Sequence, residues 1–406
     1  MNFFSVGNEN GWSVYAIDPL QEKFSRRQPI ENVSIVELMD CTNIVALVGG
    51  KDESTRCNLS LWDDKKKETI LQLKFPSEIY SVKIACELLF VLLERSILVY
   101  KLPEFQQLEI FNTSLNSNGI LEMKVTQNKI ERVCTLATLG PTGGTVRIKK
   151  YSFLFSSAKK KTLQTTKKLK REHEIIINTC ELQINKIALS SNGTYLATCS
   201  DRGTIIKIWS TITGKLLCEK KRGNKKALIF SLSFSPDCSL LAASSFNGTL
   251  HVFKLPLIQR LNKQKSSNKK ILNLNLGFTD KNMKNEKEKE KEKEKENEKE
   301  NEKENEKDNE KIRNQNLIDN QNEIQNDLNL SKKKPQRADY KGRIQKHLKS
   351  LCGFNEKNEI IVILNNATFY KFTLPNSNTK SKTLYLRARV KFLLPSQNFD
   401  LDNDDF

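Results

Sequence analysis

The chain reads LSSNGTYLATCSDRGTIIKIW over Leu189–Trp209 and FSPDCSLLAASSFNGTLHVF over Phe234–Phe253, and the two stretches repeat one pattern. Both copies alternate short apolar runs with polar turns, and their starts lie 45 residues apart. That period is typical of a four-stranded propeller blade. Because one such sheet cannot cover both of its apolar faces, several blades must ring a common axis.

Weaker copies extend the pattern towards both ends of the chain. Short apolar runs closed by Gly, Asn, Asp or charged residues recur, as in Ser13–Ile17, Leu59–Trp62 and Ile360–Lys371. This is the pattern of strands and turns, and long stretches with a period of 3.6, which would indicate helices, are missing. Residues 1–255 and 340–395 provide roughly 310 residues, enough for seven blades of about 40–45 residues. The sequence therefore predicts an all-β protein, a seven-bladed β-propeller.

A charged segment interrupts the repeats within the sixth predicted blade. Between Lys281 and Lys311 the chain has 11 Lys and 13 Asp or Glu, a net charge of −2. Because the whole chain has a net charge of +19, the residues outside this segment have a net charge of +21. We predict a largely disordered insertion over 257–337, because little there is apolar enough to offset the entropy of ordering. A long charged spacer helix, or an interfacial membrane helix over 256–278, is the alternative. The predicted organisation is blades one to most of six in 1–256, the insertion, the end of blade six with blade seven in 338–395, and an acidic tail in 396–406.

Composition narrows the classes of function. No apolar run is long enough to span a membrane, and Met1–Trp12 lacks the features of a secretory signal. The nine Cys are scattered and only three His occur, which predicts reduced thiols, no metal centre and no cofactor. The glycine-rich Gly140–Gly144 lacks the Lys-Ser/Thr of a nucleotide-binding loop, and no set of catalytic residues stands out, so we expect no enzyme. A basic fold predicts an anionic partner: nucleic acid, a membrane surface or a phosphorylated ligand.

The region around the two repeats resembles the PROPPIN family, seven-bladed β-propellers that bind phosphoinositides. The family's Phe/Leu-Arg-Arg-Gly motif corresponds to Lys220–Gly223. Its preceding A-[ST]-x-S-x-x-G-T-x-I-R pattern is matched by Ala197–Lys207, and its following S-S-x-x-G-T-V-H-[IV]-F pattern by Ser244–Phe253. Asn10–Tyr15, among other N-terminal stretches, is similar to the WIPI-three/four-like branch. The resemblance covers nearly all of the chain outside the insertion, which falls where the family has its membrane-inserting loop.

The resemblance implies two lipid-headgroup sites, one on each side of the paired basic residues. By position, the first site would use Ser200, Thr204, Lys207 and Lys221. The second would use Arg222, Ser244, Ser245, Thr249 and His251. Adjacent residues on a strand point to opposite faces, so one basic pair can serve two pockets; Arg offers phosphate a bidentate fork and Lys a point charge. The sequence departs from the family at Lys220 and Lys221, and at Cys180, where the family often has His.

The function implied is that of a non-enzymatic effector in autophagy. It would bind phosphatidylinositol 3-phosphate or the 3,5-bisphosphate and act as a scaffold recruited to membranes, with two sites and an inserted loop acting multivalently. Its partners would be phosphoinositide-containing membranes and an autophagy lipid-transfer protein or other autophagy factors. We expect a cytoplasmic monomer that is recruited to preautophagosomal, endosomal or vacuolar membranes. The alternative is a WD-repeat protein–protein interaction scaffold without lipid binding; nucleic-acid binding is disfavoured. Lipid binding requires the basic and hydroxyl residues to cluster on one rim of blades five and six, whereas a scaffold does not.

Overall fold

The chain folds into seven largely antiparallel sheets that follow one another along the sequence. The structure is a computed structural model, and it describes residues 3–27, 29–39, 42–85, 87–127, 131–154, 169–179, 183–256, 258, 335–375 and 381–392. Most of the predicted insertion, the predicted acidic tail and Cys180 lie outside the described residues. Seven sheets in chain order confirm the predicted all-β, seven-bladed propeller.

Each sheet is one blade, numbered in chain order. Blades 1 and 2 comprise β1 (Phe3–Asn8), β2 (Gly11–Ile17), β3 (Leu20–Arg26), β4 (Val33–Leu38), β5 (Ile44–Gly49), β6 (Asn58–Asp63) and β7 (Glu68–Lys74). Blades 3 and 4 comprise β8 (Ser81–Ala85), β9 (Leu88–Leu92), β10 (Ser96–Lys101), β11 (Gln106–Asn112), β12 (Leu121–Gln127), β13 (Glu131–Leu139), β14 (Thr145–Leu154) and β15 (Leu169–Asn178). A short helix, α1 (Glu53–Arg56), joins β5 to β6.

The last three blades carry the repeats found in the sequence. Blade 5 comprises β16 (Ile184–Leu189), β17 (Tyr195–Ser200), β18 (Ile205–Ser210) and β19 (Leu216–Lys221), joined at its outer edge by the two-residue β23 (Gln336–Arg337). Blade 6 comprises β20 (Ile229–Phe234), β21 (Leu240–Ser245), β22 (Thr249–Lys254) and, from beyond the insertion, β24 (Tyr340–Arg343). Blade 7 comprises β25 (Ser350–Phe354), β26 (Ile360–Leu364), β27 (Thr368–Thr373) and β28 (Tyr385–Lys391).

The core lies between successive blades, where the apolar faces of the sheets stack. Apolar side chains of blade 4 and blade 5 form one cluster, and those of blade 6 and blade 7 form another. The ring closes between blades 7 and 1, where Phe4 and Tyr15 pack with Phe369. An ion pair reinforces this closure, since the Lys371 ammonium lies 3.2 Å from an Asp18 carboxylate oxygen. Burial of each sheet on both faces explains why the blades do not stand alone.

Two glycines shape the turns at one end of blades 5 and 6. Gly203, between β17 and β18, has a φ of +59°, and a Cβ there would lie 2.0 Å from the Ala227 carbonyl oxygen. Gly248, between β21 and β22, has a φ of +66°, and its Cβ would lie 2.6 Å from the Ile344 carbonyl oxygen. Both positions combine left-handed backbone with close packing, so only glycine fits. The two Gly-Thr pairs of the repeats thus bring the chain back sharply beside the basic loop that joins the blades.

Candidate anion-binding site

A group of cationic side chains lies at the end of blades 5 and 6 where these turns meet the β19–β20 loop. We call this group the basic rim; it comprises Arg202, Lys221, Arg222, Lys225, Lys226, Lys341, Arg343 and Lys346. Within the described part of the chain, none of its members forms an ion pair with a carboxylate. Unneutralised positive charge at one place attracts anions and raises their local concentration. The rim is therefore the best candidate for a binding site.

Three residues of the first predicted site share the face of blade 5 that points to blade 4. Across the sheet, Lys207 pairs with Thr198 on β17 and with Glu219 on β19. Ser200 lies two residues after Thr198 and Lys221 lies two residues after Glu219, so both side chains point to the same face as Lys207. The Lys207 ammonium donates a hydrogen bond to the Thr179 carbonyl at the end of blade 4, at 3.1 Å. It also lies 3.8 Å from a Glu219 carboxylate oxygen, so part of its charge is already balanced.

Lys221 and Thr204 differ from Lys207 in what they contact. Lys221 is half-buried, and its ammonium has no hydrogen-bond or ion-pair partner within the described ranges. Thr204 lies in the β17–β18 turn, and its carbonyl accepts a hydrogen bond from the Arg222 backbone N–H at 2.8 Å. The turn thus fixes where the paired basic residues leave β19. Of the first site, Lys221 offers the charge that is free to meet a ligand.

The second predicted site lies on the facing surfaces of blades 5 and 6. The Arg222 side chain is 8% exposed, and its guanidinium donates to the Gly203 carbonyl at 2.7 Å and to the Lys225 carbonyl. Burial lowers the pKa of Arg222 from its ordinary value. A guanidinium nevertheless stays protonated in proteins. Two backbone carbonyls therefore hold a buried cation in one orientation beside blade 6.

His251 faces this cation from blade 6. Its side chain is only 5% exposed, and its Nδ1 is buried without a hydrogen-bond partner among the described residues. Burial first, and then the positive charges of Arg222 and Lys341, lower the pKa of His251 to about 3. The imidazole is thus neutral at physiological pH. A buried polar atom without a partner is rare in native structures and often marks a place for a ligand or a bound water.

The serine and threonine residues of the second site do not all share one face. Ser245 and Thr249 pair across the β21–β22 hairpin on the same face as His251, and the Ser245 hydroxyl donates to the Thr249 carbonyl at 3.0 Å. Ser244 points the other way, towards blade 7, where it is fully buried and accepts a hydrogen bond from the Ser350 hydroxyl at 2.9 Å. The structure thus brings Arg222, Ser245, Thr249 and His251 together and places Ser244 on the opposite side of the sheet.

Two basic residues that no sequence motif predicts also face the second site. In the register of β22 with β24, His251 pairs with Lys341 and Thr249 with Arg343, so these side chains share one face of blade 6. Both are exposed and follow the insertion in the sequence. No motif marks them: only the pairing of strands separated by the insertion brings them to the site. They extend the positive charge of the second site to the outer edge of the blade.

Lys220 explains how one departure from the family motif is tolerated. It occupies the place where the family has Phe or Leu, and it is only 3% exposed. Its ammonium donates to the Gln336 side-chain oxygen on β23 at 2.9 Å. Because burying a charged group is costly unless it is hydrogen-bonded, this contact makes the substitution possible.

Two further observations limit the chemistry. Over the described ranges, no group of three or more His, Cys, Asp or Glu is placed to hold a metal ion. None of the helices in the same part of the chain is long and apolar enough to cross a membrane. What the site offers is hydrogen-bond donors, positive charge and a neutral imidazole, which together can hold the oxygens of a phosphorylated ligand.

Known proteins resemble this chain in sequence and in fold. A family model described as PROPPIN matches residues 4–270. Autophagy-related protein 18 of Debaryomyces hansenii is 29% identical over 307 residues, which cover 70% of this chain and 54% of the relative. Autophagy-related protein 18e of Arabidopsis thaliana is 30% identical over 256 residues, which cover 62% of this chain and 63% of the relative. The aligned part thus spans between about half and two thirds of the length of these curated relatives.

Solved structures show the same fold. Hsv2 of Kluyveromyces lactis has a TM-score of 0.61 at 17% identity, covering 96% of this chain and 95% of that one. A structure described as the complex of KlAtg21 with the coiled-coil of AgAtg16 has a TM-score of 0.61 at 19% identity, covering 96% of both chains. Membership of the WIPI-three/four-like branch stays a prediction. The family model covers more than half of the chain and includes the motifs on blades 5 and 6, and the chain therefore belongs to the PROPPIN family.

Proposed function

We propose that this protein is a non-enzymatic effector that binds phosphatidylinositol 3-phosphate or the 3,5-bisphosphate in membranes and serves there as a scaffold in autophagy. The observation that carries the proposal is the meeting of an unneutralised basic rim with the unpartnered Nδ1 of His251. An inositol phosphate presents several anionic oxygens, and the rim supplies both Lys and Arg side chains on the adjoining blades 5 and 6. The names of its relatives, which are autophagy-related proteins, support the pathway.

Exposed apolar side chains beside the basic rim favour a membrane over a nucleic acid. Leu228 is 41% exposed and Phe246 is 37% exposed, and the Phe246 backbone N–H donates to the Leu228 carbonyl at 2.9 Å. Lys225, Lys226 and Lys346 are exposed on the neighbouring loops. Apolar side chains among cations are the composition of surfaces that enter the membrane–water interface. Contacts to the phosphates of duplex nucleic acid, in contrast, would leave this apolar pair without a partner.

The proposal includes partners and a place of action. We propose phosphoinositide-containing preautophagosomal, endosomal or vacuolar membranes as the surface, and other autophagy factors, such as a lipid-transfer protein, as recruited partners. The solved complex of KlAtg21 with a coiled-coil supports a helical protein as one kind of partner for this fold. The alternative, a protein-interaction scaffold without lipid binding, does not require basic and hydroxyl residues to lie together, and the position of Ser245, Thr249 and His251 beside the basic rim supports lipid binding instead.

Co-flotation with vesicles tests the proposal. We expect the full chain to float with vesicles that contain phosphatidylinositol 3-phosphate or the 3,5-bisphosphate. On vesicles of equal surface charge made with phosphatidylserine and unphosphorylated phosphatidylinositol, it should stay in the dense fraction. Flotation that follows total negative charge whatever the lipid, or no flotation at all, would overturn the proposal and favour the protein scaffold.

Replacing the exposed apolar pair, Leu228→Ser with Phe246→Ser, should weaken vesicle binding about five- to tenfold. Burial of one such side chain is worth about 1.5–3 kcal/mol, and these two are only partly transferred on docking. The soluble headgroup inositol 1,3-bisphosphate should bind the variant as it binds the wild type. A matched control is Ile110→Ser with Ile70→Ser, since both Ile are exposed on other blades. Equal vesicle affinity of the variant and this control would show that the pair does not touch the membrane.

A further inference from the structure

The last residues of the predicted insertion, Gln336 and Arg337, first reach blade 5, although the chain then supplies the outer strand of blade 6. β23 pairs in parallel with the end of β19, so that Lys220 lies beside Gln336 and Lys221 beside Arg337. The chain then crosses to blade 6, where β24 pairs with β22. The last two residues of the predicted insertion thus lie along the basic motif of blade 5.

Gln336 fixes the register of this short pairing. Its side-chain oxygen accepts the hydrogen bond of the buried Lys220 ammonium at 2.9 Å. A slip of β23 by one residue would take that acceptor away and leave a buried charge without a partner, which is costly. The contact between Lys220 and Gln336 therefore holds Arg337 beside Lys221.

This arrangement places two positive charges side by side. Paired residues on neighbouring strands point to the same face of the sheet, with strands about 4.8 Å apart. Arg337 is exposed and Lys221 is half-buried. In the part of the chain that the structure describes, neither side chain forms an ion pair with a carboxylate. Like charges directly opposite each other are destabilising, and an anion held between them would remove that repulsion.

We propose that Arg337 and Lys221 together hold one phosphate group of a phosphoinositide headgroup at the first site. The proposal rests on the function proposed above and adds a binding residue from the end of the predicted insertion. Lys221 gives a point charge, and Arg337 gives the planar fork that can bind two phosphate oxygens at once. Lys207 is less suited to be the second cation, because Thr179 and Glu219 already contact its ammonium.

The test compares Arg337→Gln with a matched control, Arg387→Gln. Arg387 is likewise exposed on an outer strand, in blade 7, where its Nε donates to the Thr373 hydroxyl at 3.0 Å. Binding is measured on vesicles with phosphatidylinositol 3-phosphate and by calorimetric titration with soluble inositol 1,3-bisphosphate and inorganic phosphate. We expect Arg337→Gln to lose about tenfold in affinity for both vesicles and headgroup, as for one charge-assisted hydrogen bond. Arg387→Gln should change either affinity less than twofold.

A double variant tests whether the two cations share one phosphate. The loss in Lys221→Gln with Arg337→Gln should then differ from the product of the two single losses, because contacts to a common group are not additive.

Multiplicative losses, or equal affinities of Arg337→Gln and Arg387→Gln, overturn the proposal. A loss on vesicles without a loss for the headgroup also overturns it and assigns Arg337 to general attraction to the membrane. Inorganic phosphate bound as tightly as the headgroup would make this a free-phosphate site. If the wild type fails to distinguish phosphorylated from unphosphorylated phosphatidylinositol, it is the proposed function that fails.

Discussion

Replacing both Lys221 and Arg222 by Thr should abolish flotation with vesicles that contain phosphatidylinositol 3-phosphate. The two residues point towards different sites, so the double substitution removes a cation from each. One hydrogen bond between a charged group and its partner contributes about 1.5–3 kcal/mol, and two sites on one membrane reinforce each other. We therefore expect a loss of affinity of more than about 100-fold, measured by co-flotation over a series of lipid concentrations.

The controls separate loss of charge from loss of folding. Arg222 holds the Gly203 and Lys225 carbonyls, so its removal can loosen the loop between blades 5 and 6. Circular dichroism and thermal melting should show that the double variant still folds, and Arg222→Lys, which keeps the charge, should retain part of the binding. Lys65→Thr with Lys66→Thr removes two exposed charges from blade 2 and should leave flotation unchanged. A folded double variant that floats like this control would contradict the assignment of both sites.

His251→Leu should make the fold less sensitive to acid. The pKa of His251 is lowered to about 3 in the folded protein, whereas an unfolded His has a pKa of about 6.5. The unfolded chain thus binds the proton first as pH falls, and stability that is present above pH 6.5 is lost progressively towards pH 3. From pH 7 to pH 5 this linkage costs the wild type about 2 kcal/mol in the free energy of unfolding. His251→Leu should lack that part of the loss.

Urea unfolding at pH 7 and pH 5 measures this difference. The comparison is between the pH-induced changes within each protein, so a constant cost of the substitution cancels. The exposed His347 offers a matched control: His347→Leu should keep the pH dependence of the wild type. If His251→Leu and the wild type lose the same free energy of unfolding between the two pH values, His251 is not the buried neutral group that the structure describes.

Much of the candidate site follows from local sequence. His251 lies within the second repeat and Arg222 lies between the two repeats, whose Gly-Thr turns and alternating strands predict where each residue falls along the chain. The strand period also explains why Lys221 and Arg222 can serve different pockets. The same period does not predict the orientations of Ser244 and Ser245. Alternation implies that neighbouring side chains point to opposite faces of the sheet, but it does not say which blade each of them faces. That was decided by the packing of blade 6 against blade 7, which buries Ser244 beside Ser350.

Sequence patterns predict the number and kind of blades, the turns at Gly203 and Gly248, and the basic residues that lie between them. These are local properties, set by hydrophobic period, turn chemistry and charge. Tertiary packing, in contrast, brings Lys341 and Arg343 to face His251, gives the buried Lys220 its partner Gln336, and places Arg337 beside Lys221. These contacts join strands separated by more than 85 residues. The register of such a pairing is the one that gives buried charges a partner and covers apolar surface at the same time. No local pattern in the chain predicts that register, because the paired strands come together only when the ring of blades has formed.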